Sequence, residues 1–302
     1  MRKVCCAAAM LWIAVELVGA TAWAHGVVGD YVFLEPLVAE DPTPANELDI
    51  VQPQWTRTGE GKRFSIGTSV EKILGKNRDE FPVFSAGAGT AWHSVQPGEG
   101  PDLSGFDDLE LFAKYAFLIV PRHEFLMSVA GVVQVPSGNP DVQEQNHTSL
   151  GVQLLWEKGL GDLPNYPVLK YLRPLGFQSD IGYLPALGGH TNHLLFADLV
   201  AEYSLRYLSN SVYDIGLKWP LRNLYLFNEI NYDQLIAGPA GQTFPHLVAT
   251  PGLAYMGYGF QLSVGTQFAL NQAAVAETHA AVLGLLDIFY DSIFPRFNWT
   301  LF

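Results

Sequence analysis

Cysteine is almost absent from this chain of 302 residues: there are two, Cys5 and Cys6, both near the N-terminus. The start Met1-Arg2-Lys3, the apolar run from Val4 to Val15 and the small-x-small triplet Ala22-Trp23-Ala24 read as a secretory signal peptide over residues 1–24, cut before His25. Glu16 is an atypical residue within it. A chain cut there has no thiol, which excludes disulfide staples, thiolate metal sites and cysteine nucleophiles. Positive charge is also scarce. Removing Arg2, Lys3 and Glu16 from the 17 basic and 30 acidic residues leaves 15 and 29, a net charge of −14. Phosphate backbones are held by Lys and Arg, so nucleic acid is excluded as a partner. Catalytic signatures are missing as well. Neither Gly-x-Ser-x-Gly nor His-Glu-x-x-His occurs, and Ser149 and Ser263 have no adjacent base in sequence. The reading is a non-enzymatic protein with no catalytic residues and no cofactor.

Long apolar runs are lacking too. A spanning helix needs about 20 apolar residues, and the nearest stretch, Ala280 to Leu286, stops at Asp287. Yet 49% of the chain is hydrophobic, so the apolar side chains are distributed in another way. They alternate. Leu109, Leu111, Ala113, Tyr115, Phe117 and Ile119 share one face of an extended chain, opposite Asp108, Glu110, Phe112, Lys114 and Ala116. Val120-Pro121-Arg122-His123 forms a turn. A second run then places Phe125, Met127, Val129, Gly131, Val133 and Val135 on one face, and Pro136-Ser137-Gly138-Asn139-Pro140 ends it.

This two-stranded unit repeats. Strands are expected over Glu47–Trp55, weakened by Pro53, and over Phe64–Leu74, Val83–Ser94, Ser149–Glu157, Tyr171–Tyr183, His193–Tyr207, Leu224–Asp233, Thr243–Tyr255 and Phe260–Leu270. His279–Tyr290 is read as a strand, although residues 272–286 are alanine-rich and suit a helix equally. The total is about twelve strands, within a range of ten to fourteen, each some 9–14 residues long. Strands in globular sheets average about 5–6 residues, whereas a strand tilted near 45° needs about 9–11 to cross a bilayer. Length therefore favours an all-β, antiparallel transmembrane barrel over residues 46–302, with its apolar side chains facing lipid. Residues 25–45 form a polar N-terminal segment, either loose or folded into the lumen. The competing architecture is a soluble β-sandwich or barrel with the same apolar face turned inward.

Gly105-Phe106-Asp107-Asp108-Leu109-Glu110-Leu111, followed by Lys114-Tyr115 and closed by Pro136-Ser137-Gly138, resembles the hairpin of an outer-membrane family, the MetA-pathway of phenol degradation type, a relative of the fatty-acid channel barrels. Lys158 to Leu163 and Asp291 to Pro295 are similar to other stretches of that family. Asp107 and Ser137 depart from its usual Gly and Thr, and Phe302 is out of phase with Leu301, Trp299 and Phe297. The resemblance implies a porin-like barrel in the bacterial outer membrane that transports small, often hydrophobic compounds. It carries no catalytic residues to transfer.

On the polar face the candidates for lining the lumen are Glu71, Asp108, Glu110, Lys114, Glu157, Asp180, Asp198, Glu202, Arg206, Glu229 and Asp233. One reading is an acidic interior favouring cations. The other is a plug, in which these carboxylates pair with Lys114, Arg206 and loop arginines. His190 and His193, three residues apart, and His25 as a new N-terminus are weak candidates for a metal, and no metal is assigned. Three functions are open: an outer-membrane barrel passing or binding small molecules, a soluble periplasmic or secreted ligand-binding β-protein, and a structural envelope barrel without transport. Expected partners are outer-membrane lipid, a small-molecule substrate and the barrel-assembly machinery.

Overall fold

The computed structural model describes residues 26–59, 61–142, 147–187, 193–237 and 244–302. The segment read as a signal peptide, together with His25 and His190, lies outside these residues. A minimal hairpin comes first, with strands β1 (Val27–Val28) and β2 (Tyr31–Val32). Then follow β3 (Glu47–Arg57), β4 (Gly61–Lys76), β5 (Pro82–Pro97), a short β6 (Leu103–Phe106), β7 (Leu109–Val120), β8 (Phe125–Val135) and β9 (Ser149–Gly159). β10 (Leu175–Pro185), β11 (His193–Ser204), β12 (Leu224–Ala237), β13 (His246–Met256), β14 (Phe260–Ala269) and β15 (Ala280–Phe289) complete the set.

Neighbours in sequence pair antiparallel from β7 through β15. β15 pairs with β3, β3 with β4, β4 with β5, and β5 with β7. The circle is closed, leaving a twelve-stranded barrel with β6 as a short flap hydrogen-bonded to the distal half of β5. Closure removes the free edges that an open sheet would expose. We call the mouth where β3 begins and β15 ends proximal, and the other distal.

The apolar side chains point away from the barrel. Leu111, Leu199 and Leu262 are 42%, 40% and 54% exposed, while their neighbours Asp198 and Glu202 are 9% and 1% exposed. This is the inverse of a soluble sandwich, in which leucines fill the interior. Among the described residues no helix is long and apolar enough to cross a membrane, which does not bear on strands. Leu199 pairs with Ser179 and Ile230 in the middle of its strands. Leu199→Arg is expected to cost about 2–4 kcal/mol of folding free energy in a bilayer, read from urea titrations in lipid vesicles. A change below about 0.5 kcal/mol would mean that this face does not meet acyl chains.

Several boundaries differ from the sequence reading. The strand expected from Tyr171 starts at Leu175, because Pro174 has no N–H for the ladder and Leu169–Leu172 turns into a 3-10 helix. The strand expected to reach Tyr207 stops at Ser204, whose hydroxyl accepts a hydrogen bond from Tyr207 N at 3.0 Å and starts a helical turn. Arg206 therefore lies on a proximal turn, not on the wall, and Tyr207 folds inward rather than toward lipid. In β7 the ladder slips between Ala116 and Leu118, so Phe117 and Leu118 are both exposed and the strict alternation ends there. The ambiguous stretch after Ala269 divides. Gln272–Glu277 is helical, capped by Asn271 Oδ1 on Ala274 N at 2.9 Å, and β15 begins at Ala280. Residues 297–302 are not a strand. Leu301 N and Phe302 O instead bond Leu74 O and Lys76 N beside the proximal rim, at 2.8 and 3.0 Å.

Candidate functional site

Residues 26–46 occupy the inside of the barrel. A segment enclosed by a wall must place every backbone N–H on an acceptor, and the sequence supplies this in two ways. Pro36, Pro42 and Pro44 have no N–H to satisfy. The donors between them reach side chains of the wall. Leu34 N donates to Glu202 Oε2 at 3.2 Å. Leu37 N, Val38 N and Ala39 N converge on the Glu229 carboxylate at 2.6, 3.0 and 3.2 Å. Glu40 N donates to Asp180 Oδ2 at 2.7 Å, and Ala45 N to Glu71 Oε1 at 3.0 Å. The Thr43 hydroxyl donates to Glu157 Oε1 at 2.8 Å.

Two glutamines extend the pattern with neutral groups. Gln261 accepts from Glu35 N at 3.0 Å and donates to Glu35 O at 2.6 Å, as a neighbouring strand would. Gln178 donates to Leu34 O at 2.8 Å, and the Ser128 hydroxyl to Pro42 O at 2.6 Å. Carboxylates accepting N–H groups make stronger bonds than neutral acceptors. The wall's negative charge is thus met largely by backbone dipoles rather than by cations.

Among the described residues a fully buried cation, Lys114, also takes part. Its Nζ lies 3.0 Å from Glu40, 3.3 Å from Glu71 and 4.0 Å from Asp41. It ties one strand to the inserted segment and to a second strand at once. Among the described residues the ion pairs of Lys114 do not include Arg206.

The segment enters and leaves by the proximal mouth. Its β1–β2 hairpin turns at Gly29, whose φ is +67° and where a Cβ would sit 2.3 Å from Pro121 O. Tyr31 and Phe33 are fully buried and pack against Ala116, Leu126 and Tyr207. The Tyr31 hydroxyl donates to Pro174 O at 2.8 Å. Below them Glu124 accepts from Gly161 N at 2.7 Å and from the Tyr207 hydroxyl at 3.1 Å. Burial pushes the Glu124 carboxyl above its usual range, against the pull of those bonds. On the return path Asn46 Oδ1 accepts from Lys72 Nζ at 2.7 Å and Ile73 N at 3.0 Å.

Space remains on both sides of the segment. A cavity of about 740 Å³ opens at the proximal mouth. Two adjoining cavities of about 340 and 320 Å³ lie toward the distal mouth, sharing Val38, Glu40, Glu110 and Gln134. Asp108, at the turn into β7, accepts from Gly138 N at 3.0 Å and borders the larger of these two. Asp198 borders the smaller. Asp233 sits near the distal rim, 3.2 Å from His246, and is mostly exposed. His193 Nδ1 is 2.6 Å from the Tyr183 hydroxyl. Among the described residues no cluster of three His, Cys, Asp or Glu side chains is arranged to hold a metal.

Replacing Glu229 by Gln keeps its volume but removes one of the two carboxylate oxygens that hold three N–H groups. The expected loss is about 1–3 kcal/mol of stability, measured by denaturant unfolding in micelles. An unchanged midpoint would mean that the three bonds do not hold the segment.

No protein-family model matches the chain, and no curated protein does. Among solved structures, an outer-membrane channel from Pseudomonas putida F1 superposes with a TM-score of 0.60 at 11% identity, over 85% of this chain and 99% of that one. The NanC porin gives a TM-score of 0.47 at 8% identity, over 79% and 98%. The first likeness shows the fold: this chain is built as a closed antiparallel barrel of the kind found in an outer-membrane channel.

Proposed function

We propose that this protein is a bacterial outer-membrane barrel that binds small molecules or lets them pass, with residues 26–46 as a plug in its lumen. It carries out no catalysis of its own on this reading. The observation that supports it most is the orientation of the wall, with leucines outward and carboxylates inward. An aqueous location would leave that apolar band in water. The likeness to a solved outer-membrane channel points the same way. On this reading the proximal mouth faces the periplasm, residues 1–24 direct export, and the barrel-assembly machinery inserts the chain. Membership of the MetA-pathway of phenol degradation family, and with it a small hydrophobic substrate, is part of the proposal and rests on the Gly105–Gly138 hairpin.

Heat-modifiable migration on a detergent gel is the expected behaviour. Recovery in the soluble fraction without detergent would overturn the proposal. A structural barrel without transport is the second reading, favoured by the density of bonds that hold the plug. Liposome swelling with a panel of sugars, aromatic acids and hydrocarbons separates the two. Passage of any of these supports transport, and passage of none supports the structural role.

A further inference from the structure

The two ends of the barrel differ in charge. The connections at the distal end, residues 58–60, 98–102, 136–148, 186–192, 238–245 and 270–279, contain no Lys or Arg. The two longest proximal connections are residues 160–174, between β9 and β10, and residues 205–223, between β11 and β12. They contain Lys170, Arg173, Arg206, Lys218 and Arg222. Their acids are engaged: Asp162 pairs with Lys158 and His123, and Asp214 accepts from Gly216 N at 2.8 Å. Among the described residues the ion pairs do not include Lys170, Lys218 or Arg222.

A second observation is where these loops lie. Tyr203 of β11 and Tyr255 of β13 follow the outward alternation of Leu199 and Leu253. The Tyr203 hydroxyl donates to Tyr171 O at 3.1 Å, and the Trp219 indole N–H donates to the Tyr255 hydroxyl at 2.8 Å. The stretches around Tyr171 and Trp219 are therefore fastened to the outer side of the rim, beside the apolar band of the wall.

These stretches are also apolar. Val168 and Trp219 are 77% and 76% exposed, and Tyr166, Tyr213, Ile215 and Leu221 are exposed as well. The turns Leu169–Leu172 and Leu208–Val212 touch, so the two loops form one patch. Single apolar residues on a watery surface are ordinary, whereas a patch of them marks something that covers it. Within this patch the Lys170 ammonium lies 5.0 Å from the centroid of the Tyr171 ring and 5.4 Å from that of Tyr213. Aromatic side chains gather at the headgroup level of a bilayer, and cations beside them attract anionic headgroups.

We propose that this patch binds anionic phospholipid of the leaflet bordering the proximal mouth. Lys170, Lys218 and Arg222 meet the headgroup phosphate, and Val168, Trp219 and Leu221 enter the acyl chains. Charge favours this occupant over a second copy of the chain, since a self-complementary contact would set basic loops against each other. The inference rests on reading the protein as a membrane barrel.

The test uses the full chain in non-ionic detergent micelles. The probe is dimyristoyl phosphatidylglycerol, and the controls are phosphatidylcholine with the same chains and inorganic phosphate. Native mass spectrometry counts the bound lipid and reads the oligomeric state. Phosphatidylglycerol should stay bound at a concentration where phosphatidylcholine does not, and excess inorganic phosphate should not displace it. The triple variant Lys170→Gln, Lys218→Gln, Arg222→Gln should weaken binding at least about tenfold. Lys62→Gln, at an exposed residue near the distal mouth, should leave it unchanged. Each protein is first checked for heat-modifiable migration. A wild-type protein that lacks this migration overturns the barrel reading and this inference with it. A heat-modifiable protein overturns the inference alone if it binds the two lipids equally, binds neither, or releases phosphatidylglycerol to inorganic phosphate. Undiminished binding by the triple variant, equal weakening by Lys62→Gln, or a lipid-free dimer that the triple variant abolishes does the same. If the triple variant does not fold, the three single variants decide, and the inference fails if none of them weakens binding.

Discussion

A chain lacking residues 26–45 should still fold as a barrel, and in a planar bilayer it should conduct ions steadily where the full chain does not. The argument starts from where the segment's bonds go. Glu202, Glu229, Asp180, Glu157 and Glu71 hold it, and each is on a strand whose ladder partners are other strands. Removing the segment leaves the ladder intact. The freed carboxylates then meet water rather than a dry interior, so their desolvation cost falls away instead of rising. The apolar loss falls on Val28, Tyr31, Phe33 and Leu34, about 1.5–3 kcal/mol for each large side chain buried, and the closed ladder of the wall is what has to outlast it. The truncated barrel should therefore keep heat-modifiable migration while its conductance rises. An acidic wall without its plug should also favour cations, which a salt gradient across the bilayer measures as a reversal potential. Equal conductance with and without residues 26–45 would mean that they do not block the lumen.

The second large effect is expected at Lys114. Lys114→Met keeps the length of the side chain and removes its charge, leaving Glu40 and Glu71 without their buried cation. Breaking a buried ion pair from one side costs about 3–5 kcal/mol, because the remaining charge is uncompensated. The loss should appear as a lower denaturant midpoint in micelles. Removing Glu71 as well, as Lys114→Met with Glu71→Gln, should recover part of it, since the uncompensated charge goes with it. A midpoint within about 0.5 kcal/mol of the parent would remove Lys114 from this account.

The wall was readable from sequence because its signal is local. Period-two alternation at Leu111, Leu199 or Leu262 depends on neighbours two residues away. The strand ends at Leu175 and Ser204 were not, because they depend on a missing N–H and on a side-chain cap that outcompete the alternation. The plug left still less trace. Glu40 and Asp180 are 140 residues apart in sequence, and Glu35 and Gln261 are 226 apart. The excess of acidic over basic residues on the polar face pointed to an interior needing donors, and it suggested Arg206 and loop arginines. The donors turned out to be mostly backbone N–H groups, which every residue but proline carries and which composition cannot count. Gln178 and Gln261 leave as little trace for a related reason: they are uncharged, and a charge pattern does not mark them. The spacing of Pro36, Pro42 and Pro44 was the visible clue, since it removes donors from a stretch that has little room for them.

Both ends of the inserted segment lie at the same mouth. The β1–β2 hairpin and Asn46 flank the proximal rim, and the turn near Val38 to Glu40 is the deepest point. A segment that enters and leaves by one mouth need not be drawn through the full length of the cylinder. It can be laid in or lifted out endwise through that mouth, like a hairpin from a tube, without unzipping any strand pair. Assembly of the wall and seating of the loop are therefore topologically independent events, and neither has to wait for the other.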